Sequence, residues 1–70
     1  MPASIVNRVR ELRRDADMTQ QALAEAVGVS RQTINAIETG RYAPSLEVAL
    51  KIARAFDLAT DTVFRLNESA

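Results

Sequence analysis

Residues 19–40 read TQQALAEAVGVSRQTINAIETG, and they carry the most informative pattern of the sequence. Thr19 is a good helix N-cap residue, and apolar side chains at helical spacing predict a helix over Gln20–Val27. The side chains predicted to form its apolar face are Leu23, Ala26 and Val27. Gly28 follows, at the position where a chain leaving a helix needs the positive φ angle that glycine adopts without steric cost.

A second helix is predicted directly after this turn. Ser30 is its N-cap candidate, the helix runs over Arg31–Thr39, and Gly40 ends it. Ile34 and Ile37 are its only large apolar side chains, so they are expected to face the core. The side chains on the opposite face must then contact solvent or a partner.

Two short helices joined at a steep angle by a glycine-containing turn of about three to four residues form a helix-turn-helix. An α-helix fits the major groove of DNA. A second helix lying across it can hold the first by its apolar face and leave its polar face free to read bases. The pattern over residues 19–40 therefore predicts a DNA-binding unit.

The segment Gln20–Arg41 resembles the helix-turn-helix of the Cro- and phage-repressor-like (XRE) transcriptional regulators, most of all the small bacterial members that consist of little else. The continuation YAPSL and the helix after it, up to Leu58, resemble the rest of that domain, so the resemblance covers about residues 5–66. It implies an all-α fold: a compact five-helix, lambda-repressor-like domain with the helix-turn-helix at its second and third helices. Residues 1–70 are expected to form this single domain.

The resemblance implies that the helix starting at Arg31 enters the major groove and that it reads bases through Arg31, Gln32, Asn35 and Ala36. Arg31 can offer its guanidinium to guanine O6 and N7, and Gln32 can pair with adenine N6 and N7. Asn35 can do the same or bind a phosphate. Ala36 offers only a methyl group, which can touch a thymine methyl, whereas many relatives carry a longer polar residue there.

Phosphate contacts are expected beside the reading helix, where they fix register without specifying sequence. The candidates are Gln20, Ser30, Thr39, Arg41 and Tyr42. Gln20 lies in the first turn of its helix, where free backbone N–H groups and the helix dipole favour an anion. Ser30 is primarily a cap, and Tyr42 is equally compatible with packing over Ile34 or Leu46.

The family commonly pairs the two positions that Arg13 and Glu38 occupy, which would lock the first helix to the reading helix. Such a partly buried pair positions more than it stabilises, because desolvation offsets the Coulomb attraction. The alternative is an ordinary solvated arginine and glutamate.

The first helix has two possible starts. It runs from about Ile5 to Asp15 with Ser4 as its N-cap, or the chain is extended over Ser4–Val6 and the helix begins near Asn7. The sequence of this segment is compatible with both starts of the helix.

Two further helices follow the reading helix. The fourth is predicted over Leu46–Phe56 and is expected to be mostly buried, because its apolar residues cover a wide arc. The fifth is short and begins at a Thr60 cap. After Leu66 we expect a polar tail or a short extended segment.

Composition limits the remaining possibilities. A chain of 70 residues is expected to form one small domain, which excludes a two-domain enzyme and a large substrate cleft. It contains no histidine and no cysteine, so the commonest general base, the commonest metal ligand and any thiolate site are missing. The acidic pairs Asp15/Asp17 and Asp57/Asp61 have no such partners. We therefore predict no enzyme activity, no catalytic residues, no metal and no cofactor.

Nine basic and nine acidic side chains give a net charge of zero. This excludes a strongly basic nucleic-acid binder, but not a specific DNA binder with a local basic face. The counterion-release part of binding is expected to be small, so random DNA should bind weakly. The sequence has no signal-peptide pattern and no apolar run long enough to span a membrane, so a cytoplasmic location is expected.

A single domain contacts too few base pairs to be specific in a genome, so a homodimer on a palindromic double-stranded operator is expected. The interface candidates are Val63, Phe64 and Leu66. Phe64 is expected to be mainly in the core, and Leu66 to face the partner with part of the fourth or fifth helix. A compatible variant pairs an extended N-terminal segment with the C-terminal tail; the alternative is a monomer with these residues in one core.

Repression by occupying the operator is the expected outcome, and no small-molecule ligand can be inferred. The alternative function is the antitoxin of a toxin–antitoxin pair that uses the same DNA-binding fold. An antitoxin needs an additional segment to wrap its toxin, and this chain has hardly any residues beyond Leu66.

Overall fold

A computed structural model describes residues 4–68 of the chain. Its elements in chain order are β1 (Ile5–Asn7), α1 (Val9–Asp15), α2 (Gln20–Val27), α3 (Arg31–Glu38), α4 (Leu46–Ala55), α5 (Thr60–Val63) and β2 (Phe64–Leu66). The five predicted helices are present. A two-stranded sheet accompanies them, so "all-α" describes the fold only approximately.

The small sheet joins the two ends of the described chain. β1 and β2 run antiparallel, with Ile5 opposite Leu66. Beyond the ladder, the backbone N–H of Arg8 donates to the carbonyl oxygen of Val63 at 3.0 Å. The extended segment at the N-terminal end therefore pairs within the same chain.

The start of the first helix differs from one of the two predictions. The expectation of a helix from Ile5 with Ser4 as its N-cap is wrong, whereas the alternative of an extended segment is confirmed. α1 begins at Val9, whose backbone N–H donates to Oδ1 of Asn7 at 3.0 Å. Asn7 thus satisfies one of the free donors at the start of α1 from outside the helix.

The two helices of the helix-turn-helix begin at the predicted caps. Thr19 Oγ1 accepts from the backbone N–H of Ala22 at 3.0 Å, and Ser30 Oγ accepts from that of Thr33 at 3.1 Å. Gly28 has a φ of 84°, as its position after α2 requires. At α5 the prediction fails, because Ala59 is the N-cap and makes no side-chain cap bond.

The core is one cluster of apolar side chains drawn from all five helices. Its buried members are Val9, Leu23, Ala24, Val27, Ile34, Ile37, Ile52, Ala53 and Val63. Ala24 takes the place predicted for Ala26, which is exposed. The expectation that α4 is mostly buried is wrong for Leu46 and Leu50, which are 74% and 50% exposed. Both lie at the edge of the wide apolar arc of α4, where periodicity does not distinguish core from surface.

Candidate nucleic-acid interface

Helix α3 packs against the core through one face. Ile34 and Ile37 point into the core with 0% and 1% of their surface exposed. Arg31 and Gln32, in the first turn of α3, are exposed, and the predicted reader Asn35 is half-buried one turn further on. The polar side of α3 therefore forms part of the protein surface.

The polar side chains of α3 have donors available. Among the hydrogen bonds of residues 4–68, none engages the side chain of Arg31, Gln32 or Asn35. Ala36, which was also predicted to read bases, is half-buried and presents only a methyl group. The arrangement can thus offer one guanidinium and two amides to a ligand lying against α3.

Two of the predicted phosphate contacts are hydroxyls that already serve the ends of α3. Ser30 Oγ caps the helix and lies 3.0 Å from Thr33 Oγ1. Thr39 Oγ1 donates to the carbonyl oxygen of Asn35 at 2.9 Å. Since a hydroxyl has a single proton, Thr39 can donate to a phosphate only by releasing this carbonyl.

The other phosphate candidates differ in exposure. Arg41 is exposed just after α3, and Tyr42 is 49% exposed, outside the set of side chains packed against the core. Gln20, the first residue of α2, is half-buried, and its amide donates to Glu38 Oε1 at 3.1 Å.

A buried carboxylate organises the region between α1, α2 and α3. The side chain of Glu38 has no exposed surface, and its Oε2 lies 2.8 Å from Arg13 Nε. Arg13 Nη2 reaches Oε1 at 3.3 Å, and its Nη1 donates to the carbonyl oxygen of Met18 at 2.8 Å. Arg10 Nε completes the set at 3.5 Å from Oε1. Arg13 and Glu38, predicted as a pair, are therefore in direct contact.

The donors around Glu38 determine its charge. Burial raises the pKa of the Glu38 carboxyl, but hydrogen bonds from Arg13, Gln20 and Arg10 and the charge of Arg13 lower it by more. The pKa consequently lies below its ordinary value of 4.5, and the group is ionised at neutral pH. The Glu38 carboxylate on α3 thus links this helix to α1 and α2.

Asn7 is a positioning residue that was not predicted from the sequence. Its Nδ2 donates to the carbonyl oxygen of Ile37 at 2.9 Å, while its Oδ1 caps α1. Asparagine shortly before a helix is a cap signal, so the contact with Val9 could have been predicted. The contact with Ile37, 30 residues away, could not.

The three predicted dimer residues have very different exposure. Val63 is fully buried within the chain itself, so the prediction that it contributes to a dimer interface is wrong. Phe64 is half-buried and packs against the core, as expected. Leu66 is 69% exposed.

The described part of the chain offers neither a cluster of metal ligands nor a membrane-spanning helix. Residues 4–68 contain no group of three or more acidic side chains placed to hold a metal ion. Over the same range, no helix has both the length and the apolar character that crossing a membrane requires.

Comparison with known proteins gives the family. The helix-turn-helix family model matches residues 9–63. The chain is 52% identical over 62 residues to the helix-turn-helix-type transcriptional regulator YgzD of Bacillus subtilis, covering 89% of this chain and 94% of YgzD. This protein thus belongs to the helix-turn-helix family of Cro- and phage-repressor-like (XRE) transcriptional regulators, which are DNA-binding proteins rather than enzymes.

Solved structures agree with this assignment. The P22 c2 repressor protein in complex with a synthetic operator superposes with a TM-score of 0.75 at 31% identity, covering 77% of this chain and 82% of that one. The restriction-modification controller protein C.AhdI of Aeromonas hydrophila gives a TM-score of 0.72 at 36% identity, covering 76% and 80%. The resemblance found in the sequence is therefore confirmed at the level of family and fold.

Proposed function

We propose that this protein binds a palindromic double-stranded DNA operator as a homodimer and represses transcription by occupying it. Residues 1–70 act as a single DNA-binding domain in this proposal, and α3 enters the major groove. The observation that carries the proposal is the position of α3. Its two isoleucines are buried, whereas Arg31 and Gln32 in its first turn are exposed, and their side chains have no hydrogen-bond or ion-pair partner among residues 4–68.

Base reading follows from the chemistry of this surface. The guanidinium fork of Arg31 matches O6 and N7 of guanine, and the amide of Gln32 matches N6 and N7 of adenine. Asn35, one turn further along α3, can bind a base edge or a phosphate. Ala36 contributes only an apolar contact with a thymine methyl. Each bidentate pair discriminates against a wrong base by about 1–3 kcal/mol.

Phosphate contacts fix the helix in the groove. Arg41 and Tyr42 are exposed just beyond the end of α3 and can donate to the backbone of one strand. Gln20 retains a second amide hydrogen in addition to the one on Glu38. Ser30 and Thr39 contribute less, because their hydroxyls are already bonded at the two ends of α3.

Exposed leucines support a dimer. Leu66 and, at i,i+4 on α4, Leu46 and Leu50 each expose half or more of their surface. Ile5, which is paired with Leu66, lines one cavity together with Pro44, two residues before α4 begins. Exposed apolar side chains of this kind, repeated on a second copy, can form a two-fold interface.

Repression is the simplest consequence of such binding. A dimer on an operator excludes other proteins from the same DNA. The similarity to the P22 c2 repressor, whose structure was solved with an operator, supports this direction of regulation.

The test is selection of bound sequences from a random double-stranded DNA pool. We expect enrichment of a palindrome whose half-sites lie about one turn of DNA apart. A pool that stays as random as its input would overturn specific DNA binding. Enrichment of an isolated half-site would contradict the dimer while leaving the reading helix in place.

A further inference from the structure

We propose that Arg10 and Gln20 bind one DNA phosphate between them, which adds Arg10 to the residues that contact the operator. The inference rests on the proposed function and deepens it. Both side chains converge on the same atom: Arg10 Nε lies 3.5 Å and Gln20 Nε2 3.1 Å from Glu38 Oε1. The two nitrogens are thus at most about 6.6 Å apart, the sum of these distances. A phosphate between them can accept a bond of about 2.9 Å from each through different oxygens.

Both side chains keep free donors. Gln20 has two amide hydrogens, and Glu38 takes one of them. Arg10 has five N–H groups, of which only Nε has a protein partner within residues 4–68, at the limit of hydrogen-bond distance. Its side chain is 48% exposed, so it is accessible to a ligand from solvent.

The net charge of the cluster formed by Arg10, Arg13, Gln20 and Glu38 favours binding of an anion. Glu38 alone would repel a phosphate, but Arg13 neutralises it through contacts of 2.8 and 3.3 Å and is itself only 12% exposed. Gln20 is uncharged. Arg10 is therefore the excess positive charge of the cluster, and its loss would leave Gln20 beside a neutral pair.

The position of the pair suits the DNA backbone. Gln20 is the first residue of α2, and Glu38 is the last residue of α3. The pair consequently lies beside the C-terminal end of the reading helix, while Arg31 and Gln32 lie at its start. Phosphates flank a helix in the major groove on both sides, so this end faces a backbone when α3 is docked.

Arg8 provides a matched control. Its side chain is 47% exposed, almost the same as that of Arg10, and its Nε pairs with the neighbouring Glu11 at 3.0 Å. Arg8→Ala and Arg10→Ala therefore remove the same charge from the same end of the chain. A difference between them in DNA binding reports a local contact rather than net charge.

The experiment measures operator affinity at several salt concentrations for the wild type, Arg8→Ala, Arg10→Ala and Arg10→Lys, using the operator that the wild type selects. We expect Arg10→Ala to bind about tenfold more weakly, as the loss of a charge-assisted hydrogen bond implies. It should also reduce the slope of log K against log salt by about 0.9, the value for one phosphate. Arg10→Lys should keep most of the slope, and Arg8→Ala should leave it unchanged.

Thermal melting shows that the variants compared are folded at the assay temperature. If Arg10→Ala is not folded, Arg10→Gln, which also removes the charge but keeps a long polar side chain, takes its place, and its slope should fall by the same amount of about 0.9. Equal slopes for Arg8→Ala and Arg10→Ala would overturn the inference alone, since the wild type would still bind its operator. A wild type that selects no DNA sequence would overturn the proposed function and the inference with it.

Discussion

Arg13 Nε lies 2.8 Å from Oε2 of Glu38, and the carboxylate has no exposed surface. This contact joins α1 to the last residue of α3, and Gln20 adds the start of α2 to the same carboxylate. Helices α1, α2 and α3 therefore meet at one buried negative charge. Stability and the placement of α3 should depend on it together.

Replacing Glu38 by alanine should lower both the stability of the fold and the affinity for the operator. The change leaves the guanidinium of Arg13 partly buried without its counter-charge, which costs about 3 kcal/mol of unfolding free energy in sites of this kind. Glu11→Ala is the control, since its pair with Arg8 is exposed and is worth at most about 1 kcal/mol. Chemical denaturation and operator titration measure the two effects. Wild-type stability and affinity for Glu38→Ala would show that the pair does not position α3.

Lowering the pH should remove the stabilisation that the ionised Glu38 carboxylate contributes. The folded pKa of Glu38 lies below 4.5, so between the two pKa values the unfolded chain binds more protons than the folded one. The contribution of Glu38 is complete above the unfolded pKa and is lost as the pH falls through the folded pKa. We expect the difference in Tm between the wild type and Glu38→Gln to narrow as the pH is lowered from about 6 to about 3. A difference that stays constant would mean that Glu38 titrates alike in both states.

Local signals predicted the helix-turn-helix well. Thr19, Ser30 and Gly28 act within a few residues along the chain, and each lies at the helix end that its chemistry indicates. The exposure of Arg31 and Gln32 followed from the two isoleucines that must face the core. Arg13 and Glu38 came from family resemblance, because no local pattern links residues on different helices.

Non-local structure was not predictable in the same way. The strand at Ile5 pairs with residues near the other end of the chain, and three residues are too few for a strand pattern to be decisive. Leu50 and Val63 are both apolar, yet one is 50% exposed and the other fully buried. Both side chains are aliphatic, so only their positions in the packed structure separate them.

Two positions with left-handed backbone should respond to substitution in opposite directions. Asp57 has a φ of 56° just after α4, and its negative charge lies near the negative end of the helix dipole. Asp57→Gly should therefore stabilise by about 0.5–1 kcal/mol. Gly28→Ala should destabilise by about 1 kcal/mol through the backbone alone, because an added Cβ would meet no atom of residues 4–68 within 4 Å. Shifts of equal sign in thermal melting would contradict this.

Asn7 should contribute to stability through both the oxygen and the nitrogen of its side-chain amide. Asn7→Ala removes the cap on Val9 and the bond to Ile37, and we expect a loss of about 1–2 kcal/mol in denaturant unfolding. Asn7→Asp keeps an acceptor for Val9 but cannot donate to Ile37, so its stability should lie between those of Asn7→Ala and the wild type. If Asn7→Asp were as stable as the wild type, the bond to the end of α3 would add nothing.

A comparison of the DNA sequences selected by the wild type and by Gln32→Ala shows whether the exposed side of α3 reads bases. Gln32 is exposed and outside the core, so its truncation should leave folding intact. We predict that the variant selects the same palindrome with relaxed preference at one position in each half-site, at a cost of about 1–3 kcal/mol for the preferred base. An unchanged preference at every position would contradict base reading by this helix.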